Sequence, residues 1–191
     1  MKLESLNALL TEQLQDLYSL EQQIIEALPK MIEKANTAQL KAGLSEHLQQ
    51  TKEQLARLDR IFDQIPDADR KGQKCKGMEG IIKEGEEIVK AKGDPEVRDA
   101  GIISAAQRVE HYEIAGYGTV REFAELLGED EHVPLLEQTL EEEKETDEKL
   151  TQLAEQINSQ AQEEAEGEEE GEGGEEMPRR RASGNRSRRA A

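Results

Sequence analysis

The sequence is poor in cysteine and in aromatic side chains. It has one cysteine, Cys75, no tryptophan, and an aromatic fraction of 3% over 191 residues. A single cysteine excludes an internal disulfide framework and predicts a reducing, cytoplasmic location. Few aromatic residues and a charged fraction of 36% are typical of long helices rather than of a sheet protein.

Long hydrophobic runs are also missing. The first residues, MKLESLNALLTEQL, contain no apolar run long enough for a signal peptide, and no later stretch is long enough to span a membrane. The net charge of −18 predicts that the main domain binds neither nucleic acid nor an anionic membrane, because both repel an acidic surface.

Apolar residues recur at alternating steps of three and four, which predicts helices. Asp94 and Pro95 form an expected helix start, and Gly128 an expected helix end. The predicted helical segments are A, about residues 3–35; B, about 38–65; C, about 94–127; and D, about 133–157.

The connections between these segments predict the topology. Segments A and B are joined near Asn36 and Thr37, and C and D are joined by residues 128–132. Such short links favour antiparallel pairs. Residues 66–93 are long enough to cross a bundle, and their apolar residues predict a short helix. The expected fold is therefore all-α, a ferritin-like antiparallel four-helix bundle with a long B–C crossover containing a short helix.

The apolar pattern ends near residue 159. Residues 163–176 are rich in glutamate, and residues 178–189 are rich in arginine. We therefore predict a bundle over residues 1–158 and a disordered acidic-then-basic tail over 159–191. The tail is interpreted as a solubilising segment, with contact between its arginines and an acidic partner as the alternative.

Polar residues interrupt the apolar stripes, each within about one turn of a predicted helix midpoint. Antiparallel packing would bring them to one level of the bundle, and no Lys or Arg lies on the stripes to pair with them. Buried carboxylates without such partners predict bound cations, and oxygen-rich ligand sets suit iron or manganese. The predicted ligands of two divalent ions are Glu21, His47, Glu110, Glu113, Glu143 and Asp147.

Other interpretations remain open. The same residues could form a hydrated polar layer that fixes helix register. His47 could be a hydrogen-bonded core histidine, and His111, one step off the stripe, could be a ligand instead. His132 is expected to be solvated, and Tyr117 is expected to be a core residue rather than a redox tyrosine.

Several motifs resemble the YciE/YciF family of bacterial stress proteins. They are LYSLEQQ at residues 17–23, HLQQT at 47–51, CKGMEG at 75–80, VEHYEIAGYGT at 109–119 and EEEKETD at 141–147. The resemblance covers about residues 3–157 and implies a ferritin-like, cytoplasmic, stress-associated homodimer. The usual Glu-x-x-His ligand pair is incomplete, because Gln50 follows His47 and segment D has no histidine.

Together these features predict a stress-response protein with a di-iron or di-manganese site that handles peroxide or dioxygen. They do not specify an enzymatic reaction or catalytic residues. The alternative is a metal-free dimeric helical protein that acts in interactions or structure through its surface and charged tail.

Overall fold

The protein is all-helical over the part of the chain that the computed structural model describes, residues 4–65, 69–70 and 72–172, apart from the side chains of 160 and 163–172. No strand occurs among these residues, so the prediction of an all-α protein is confirmed. The helices are α1 (Leu6–Lys34), α2 (Ala38–Phe62), α3 (Lys76–Lys90), α4 (Pro95–Leu127) and α5 (Val133–Glu172).

Local sequence signals explain most helix ends. The side chains of Ser5 and Thr37 accept hydrogen bonds from backbone N–H groups in the first turns of α1 and α2. Asp94 does the same at the start of α4, where Pro95 occupies the first turn. Gly128 ends α4 at φ 74°, a left-handed conformation that glycine adopts without steric cost.

Helices that are close in sequence also pack together. α1 packs on α2, and α4 packs on α5, while α3 lies against both α4 and α1. α1 also contacts α4, and α2 contacts α5, so these four helices share one core. Gly116 permits a close approach, since a Cβ atom there would lie 2.8 Å from a methyl group of Leu17.

A buried carboxylate connects α4 to the link between α1 and α2. Asp99 is fully buried. Its two oxygens accept hydrogen bonds from the backbone N–H groups of Asn36 and Thr37, each at 2.7 Å. These bonds satisfy amides that would otherwise be left unpaired at the start of α2.

The structure differs from the predicted end of the helical domain. α5 continues to Glu172, although disorder was predicted from residue 159. The alanine, glutamine and glutamate of this stretch are good helix formers, and they extend the helix beyond Ile157, the last buried side chain that the structure describes. The predicted disorder of residues 173–191 lies outside the described residues.

Among the described residues, no helix is both long enough and apolar enough to pass through a membrane.

Candidate metal centre

Four predicted ligands meet in the buried core between the helices. They are His47 of α2, Glu110 and Glu113 of α4, and Glu143 of α5, and one ligand atom from each lies within 4.8 Å of the others. We call these residues the His–Glu cluster. Each is at most 2% exposed. The spacing of three between Glu110 and Glu113 places both carboxylates on one face of α4.

The polar atoms of the cluster are buried without hydrogen-bond partners. In the described part of the chain, both oxygens of Glu110, Glu113 and Glu143 and both ring nitrogens of His47 have none. Nδ1 of His47 lies 3.2 Å from Oε1 of Glu110 without hydrogen-bond geometry. A buried polar group without a partner costs about 1–3 kcal/mol, so a shared proton, a water molecule or a bound cation would stabilise this arrangement.

Burial shifts the protonation of the cluster toward its neutral forms. It raises the pKa values of Glu110 and Glu113 well above the usual range, and the nearby charge of Glu143 raises them further. Burial also raises the pKa of Glu143 to about 7. It lowers the pKa of His47 to about 4, so the imidazole is neutral and can act as a ligand near pH 7.

Glu21 of α1 lies beside the cluster. It is fully buried, and its pKa is raised by burial and then by the charge of Glu143. The hydroxyl of Tyr117 donates a hydrogen bond to Oε1 of Glu21, whereas Oε2 has no partner. Tyr117 is a core residue, as predicted, but its hydroxyl also orients a predicted ligand.

Asp147 does not face the core as the predicted stripe required. Its side chain is 22% exposed, and Oδ1 lies 3.5 Å from Nε2 of His111. Thr146 takes the inward position instead and is 7% exposed. Between Glu143 and Leu150, either residue 146 or residue 147 can fall on the buried face, and the rotation of α5 selects Thr146. His111 is 68% exposed and lies outside the cluster.

His132 is buried, contrary to the prediction that it is solvated. It is 4% exposed, and its Nδ1 lies 3.5 Å from a carboxylate oxygen of Glu129. The turn after α4 folds back, so that the N–H of His132 donates to the carbonyl of Glu129 at 2.9 Å. His132 is not one of the residues of the His–Glu cluster.

A buried cation near the site was missed by the sequence reasoning. Arg57 of α2 is 7% exposed. It donates to Glu142 at 2.7 Å and to the hydroxyl of Thr139 at 2.8 Å. Its charge lowers the pKa values of Glu21 and Glu143, against the larger effect of burial. The spacing of three between Gln54, which is also buried, and Arg57 places both on one face of α2, and that spacing was the available signal.

The donor set fits a hard divalent cation. Three carboxylates and a neutral imidazole are ligands that iron and manganese accept, and unpartnered oxygens are what such an ion would satisfy. The cluster can therefore hold metal, and its partly protonated carboxyl groups can also hold and exchange protons.

Comparison with known proteins agrees with the helical architecture. YciF from Escherichia coli (strain K12) is 42% identical over 154 residues, which are 81% of this chain and 93% of that protein. The crystal structure of the E. coli stress protein YciF matches with a TM-score of 0.79 at 40% identity and covers 82% of this chain and 98% of that one.

Two further solved structures are similar. YcfI from Rhodopseudomonas palustris, described as a candidate structural protein, matches with a TM-score of 0.75 at 43% identity, over 78% of this chain and 95% of that one. A protein from Xanthomonas campestris shares the fold at 23% identity with a TM-score of 0.65, over 84% of this chain and 98% of that one. The family described as Domain of unknown function (DUF892) matches residues 5–163. The chain therefore belongs to the DUF892 family, which includes the bacterial stress protein YciF.

Proposed function

We propose that the protein is a ferritin-like stress-response protein whose core holds two iron or manganese ions and handles peroxide or dioxygen. One observation carries the proposal. His47, Glu110, Glu113 and Glu143 converge in the interior with their polar atoms unpartnered. A metal-free fold would gain stability from apolar side chains at these positions, so a bound cation is the better account of the buried carboxylates.

The charge of the buried residues supports a pair of divalent ions. Glu21, Glu110, Glu113 and Glu143 are all fully buried, and their four negative charges balance two divalent cations. Bound metal would supply open coordination positions that polarise an oxidant. The proposed roles of this chain's residues are to hold the ions, to keep water out, and to orient Glu21 through the hydroxyl of Tyr117.

The same proposal includes the finer architecture. We assign α1, α2, α4 and α5 to an antiparallel four-helix bundle and α3 to the crossover. The pairwise packing of α1 on α2 and of α4 on α5 supports this assignment. Asp147 remains a proposed ligand only if α5 rotates on metal binding. Homodimerisation remains a prediction from the resemblance to YciE/YciF proteins.

Metal binding and thermal stability test the proposal together. Full-length protein purified without chelator and reconstituted with Mn²⁺ or Fe²⁺ should retain about two equivalents after gel filtration, the content of a two-metal site. At a free metal concentration a hundredfold above Kd, the melting temperature should rise by about 5–10 °C. Trace metal alone after reconstitution would contradict the proposal.

Paired substitutions locate the metal. Changing Glu110→Gln together with Glu143→Gln should abolish the metal-induced rise in melting temperature while costing the metal-free protein little, because amides resemble the neutral carboxyl forms that burial favours. The matched control is Glu122→Gln with Glu148→Gln, two exposed positions on the same helices, which should keep the full rise. A cluster variant that also keeps the full rise would place the metal elsewhere.

A second function is a metal-free structural or interaction protein. The description of the similar YcfI protein as a candidate structural protein favours it. Under this alternative the cluster is a polar layer that fixes helix register, and the Glu110→Gln and Glu143→Gln changes strongly destabilise the metal-free protein. The same melting experiment therefore separates the two functions.

A further inference from the structure

An apolar pocket opens between α1, α3 and α4 and ends at the His–Glu cluster. Its volume is about 210 Å³. Apolar side chains from three helices form its walls, among them Ile24 and Met31 of α1, Ile82 and Val89 of α3, and Ala105 and Val109 of α4. His47 and Glu110 line it as well, and because both are buried they form its floor.

The two ends of the pocket differ in chemistry. At the mouth, Lys30 of α1 and Lys90 of α3 pair with the carboxylate of Glu86 at 3.0 Å and 2.9 Å. Both lysines are well exposed and already paired. At the floor, the polar atoms of His47 and Glu110 have no hydrogen-bond partner among the described residues. A polar group on a ligand would therefore gain more at the floor than at the mouth.

We propose that this pocket binds a small apolar molecule with one polar end, of the class of alkyl hydroperoxides, and directs the polar end to the His–Glu cluster. The pocket itself is a feature of the metal-free chain, but the identity of the reacting group rests on the proposed function. Hydrogen peroxide would make no apolar contact with the walls of the pocket, whereas an alkyl group would fill the pocket and pack against them.

The volume limits the size of the ligand. A cavity of about 150 Å³ holds benzene, so a pocket of this size has room for about eight non-hydrogen atoms. Each methylene that enters an apolar site improves affinity by about fourfold. A homologous series of unreactive alcohols therefore measures the pocket directly, without any chemistry at the metal.

The test is titration of full-length, metal-free protein with 1-alkanols from 1-butanol to 1-octanol. Isothermal titration calorimetry or ligand NMR measures the binding. We expect Kd to fall about fourfold per methylene and the gain to diminish near eight non-hydrogen atoms. No dependence on chain length would overturn the proposal.

Two variants fill the pocket from opposite ends. Ala27→Leu adds bulk at a partly exposed wall position of α1, and Val109→Ile adds a methyl group near the floor. Position 105 is avoided because the Ala105 Cβ would lie only 3.3 Å from a Cβ atom placed on Gly85, so α3 and α4 already approach closely there. Both variants should weaken 1-heptanol binding at least several-fold, whereas Ala42→Leu, at an exposed position of α2, should not. Equal binding by all three variants would overturn the proposal.

Orientation is tested with manganese-loaded protein. Paramagnetic broadening should be stronger for the protons beside the alkanol hydroxyl than for the terminal methyl group, and the reverse order would overturn the proposal.

Affinity that falls as protein concentration rises would show that a second copy covers the mouth, which would also overturn it. Length-dependent binding without metal uptake would contradict the proposed function alone, and metal uptake without length dependence would contradict this inference alone.

Discussion

At the scale of single residues, the site depends on groups that are costly to bury. Glu21 keeps one hydrogen bond, from the hydroxyl of Tyr117, and that bond opposes the rise of its pKa that burial causes. Arg57 and Glu142 form an ion pair nearby, whereas the carboxyl groups of the His–Glu cluster have no hydrogen-bond partner among the described residues. This difference supports the proposal that metal, rather than an ion pair, is the partner of the cluster.

The Tyr117 hydroxyl can be tested by removing it. Tyr117→Phe should lower the free energy of unfolding of the metal-free protein by about 1–2 kcal/mol, because it leaves a buried carboxyl oxygen without a donor. Urea denaturation at pH 7 measures the change. Tyr18→Phe is the control, since its hydroxyl contacts Asp59 near the surface, and its effect should be smaller. Equal losses of unfolding free energy in the two variants would show that the buried Tyr117–Glu21 hydrogen bond stabilises the fold no more than the Tyr18–Asp59 bond near the surface does.

At the scale of helices, the cluster depends on how α4 is held against the α1–α2 link. Asp99 forms that connection through two backbone N–H groups. The interaction is not readable from spacing, because its donors come from a loop that precedes Asp99 by about sixty residues in the chain.

Removing the Asp99 carboxylate should destabilise the fold more than removing a helix cap. Asp99→Ala should cost about 3 kcal/mol, because two amides lose a charged acceptor. Asp94→Ala, which removes the exposed cap of α4, should cost about 1 kcal/mol. Chemical denaturation compares them. A similar loss in both variants would mean that water replaces Asp99 at the link.

The helical extension beyond Ile157 should contribute little to the stability of the core. The free energy of unfolding of a chain ending at Ser159 should lie within about 0.5 kcal/mol of that of the full-length protein, which is the usual range for surface changes. The same shortened chain should keep the metal-induced rise in melting temperature. A large loss of stability on truncation would contradict the predicted domain boundary at residue 158.

At the scale of the whole molecule, the buried carboxyl groups make stability depend on pH. Their folded-state pKa values are raised, so the folded protein binds more protons than the unfolded chain above pH 4.5. For Glu143 the stabilisation present at low pH is lost between pH 4.5 and about pH 7. His47, with its pKa lowered to about 4, acts in the opposite direction up to about pH 6.5.

The carboxyl groups outnumber the histidine, so the melting temperature of metal-free protein should fall from pH 5 to pH 8. Metal binding requires ionised carboxylates and releases protons, so the stabilisation by Mn²⁺ should grow over the same range. Differential scanning calorimetry of both forms measures this. Glu143→Gln should flatten the metal-free curve below pH 7. A metal-free protein that gains stability with rising pH would contradict the raised pKa values.

The sequence alone determined the all-helical fold, the approximate limits of α1, α2 and α4, the start of α5, and the burial of Glu21, His47, Glu110, Glu113 and Glu143. Periodicity carries this information, since residues three and four apart share a helix face. The caps at Asp94 and Gly128 were equally local signals.

Only the tertiary structure decided the features that depend on helix rotation and on contacts distant in sequence. It turned Thr146 inward in place of Asp147, buried His132 and Arg57, and joined Asp99 to the α1–α2 link. It also opened the apolar pocket between α1, α3 and α4 above the cluster. Periodicity leaves the rotation of a helix uncertain by about one residue, and the packing of neighbouring helices settles which side chain points inward.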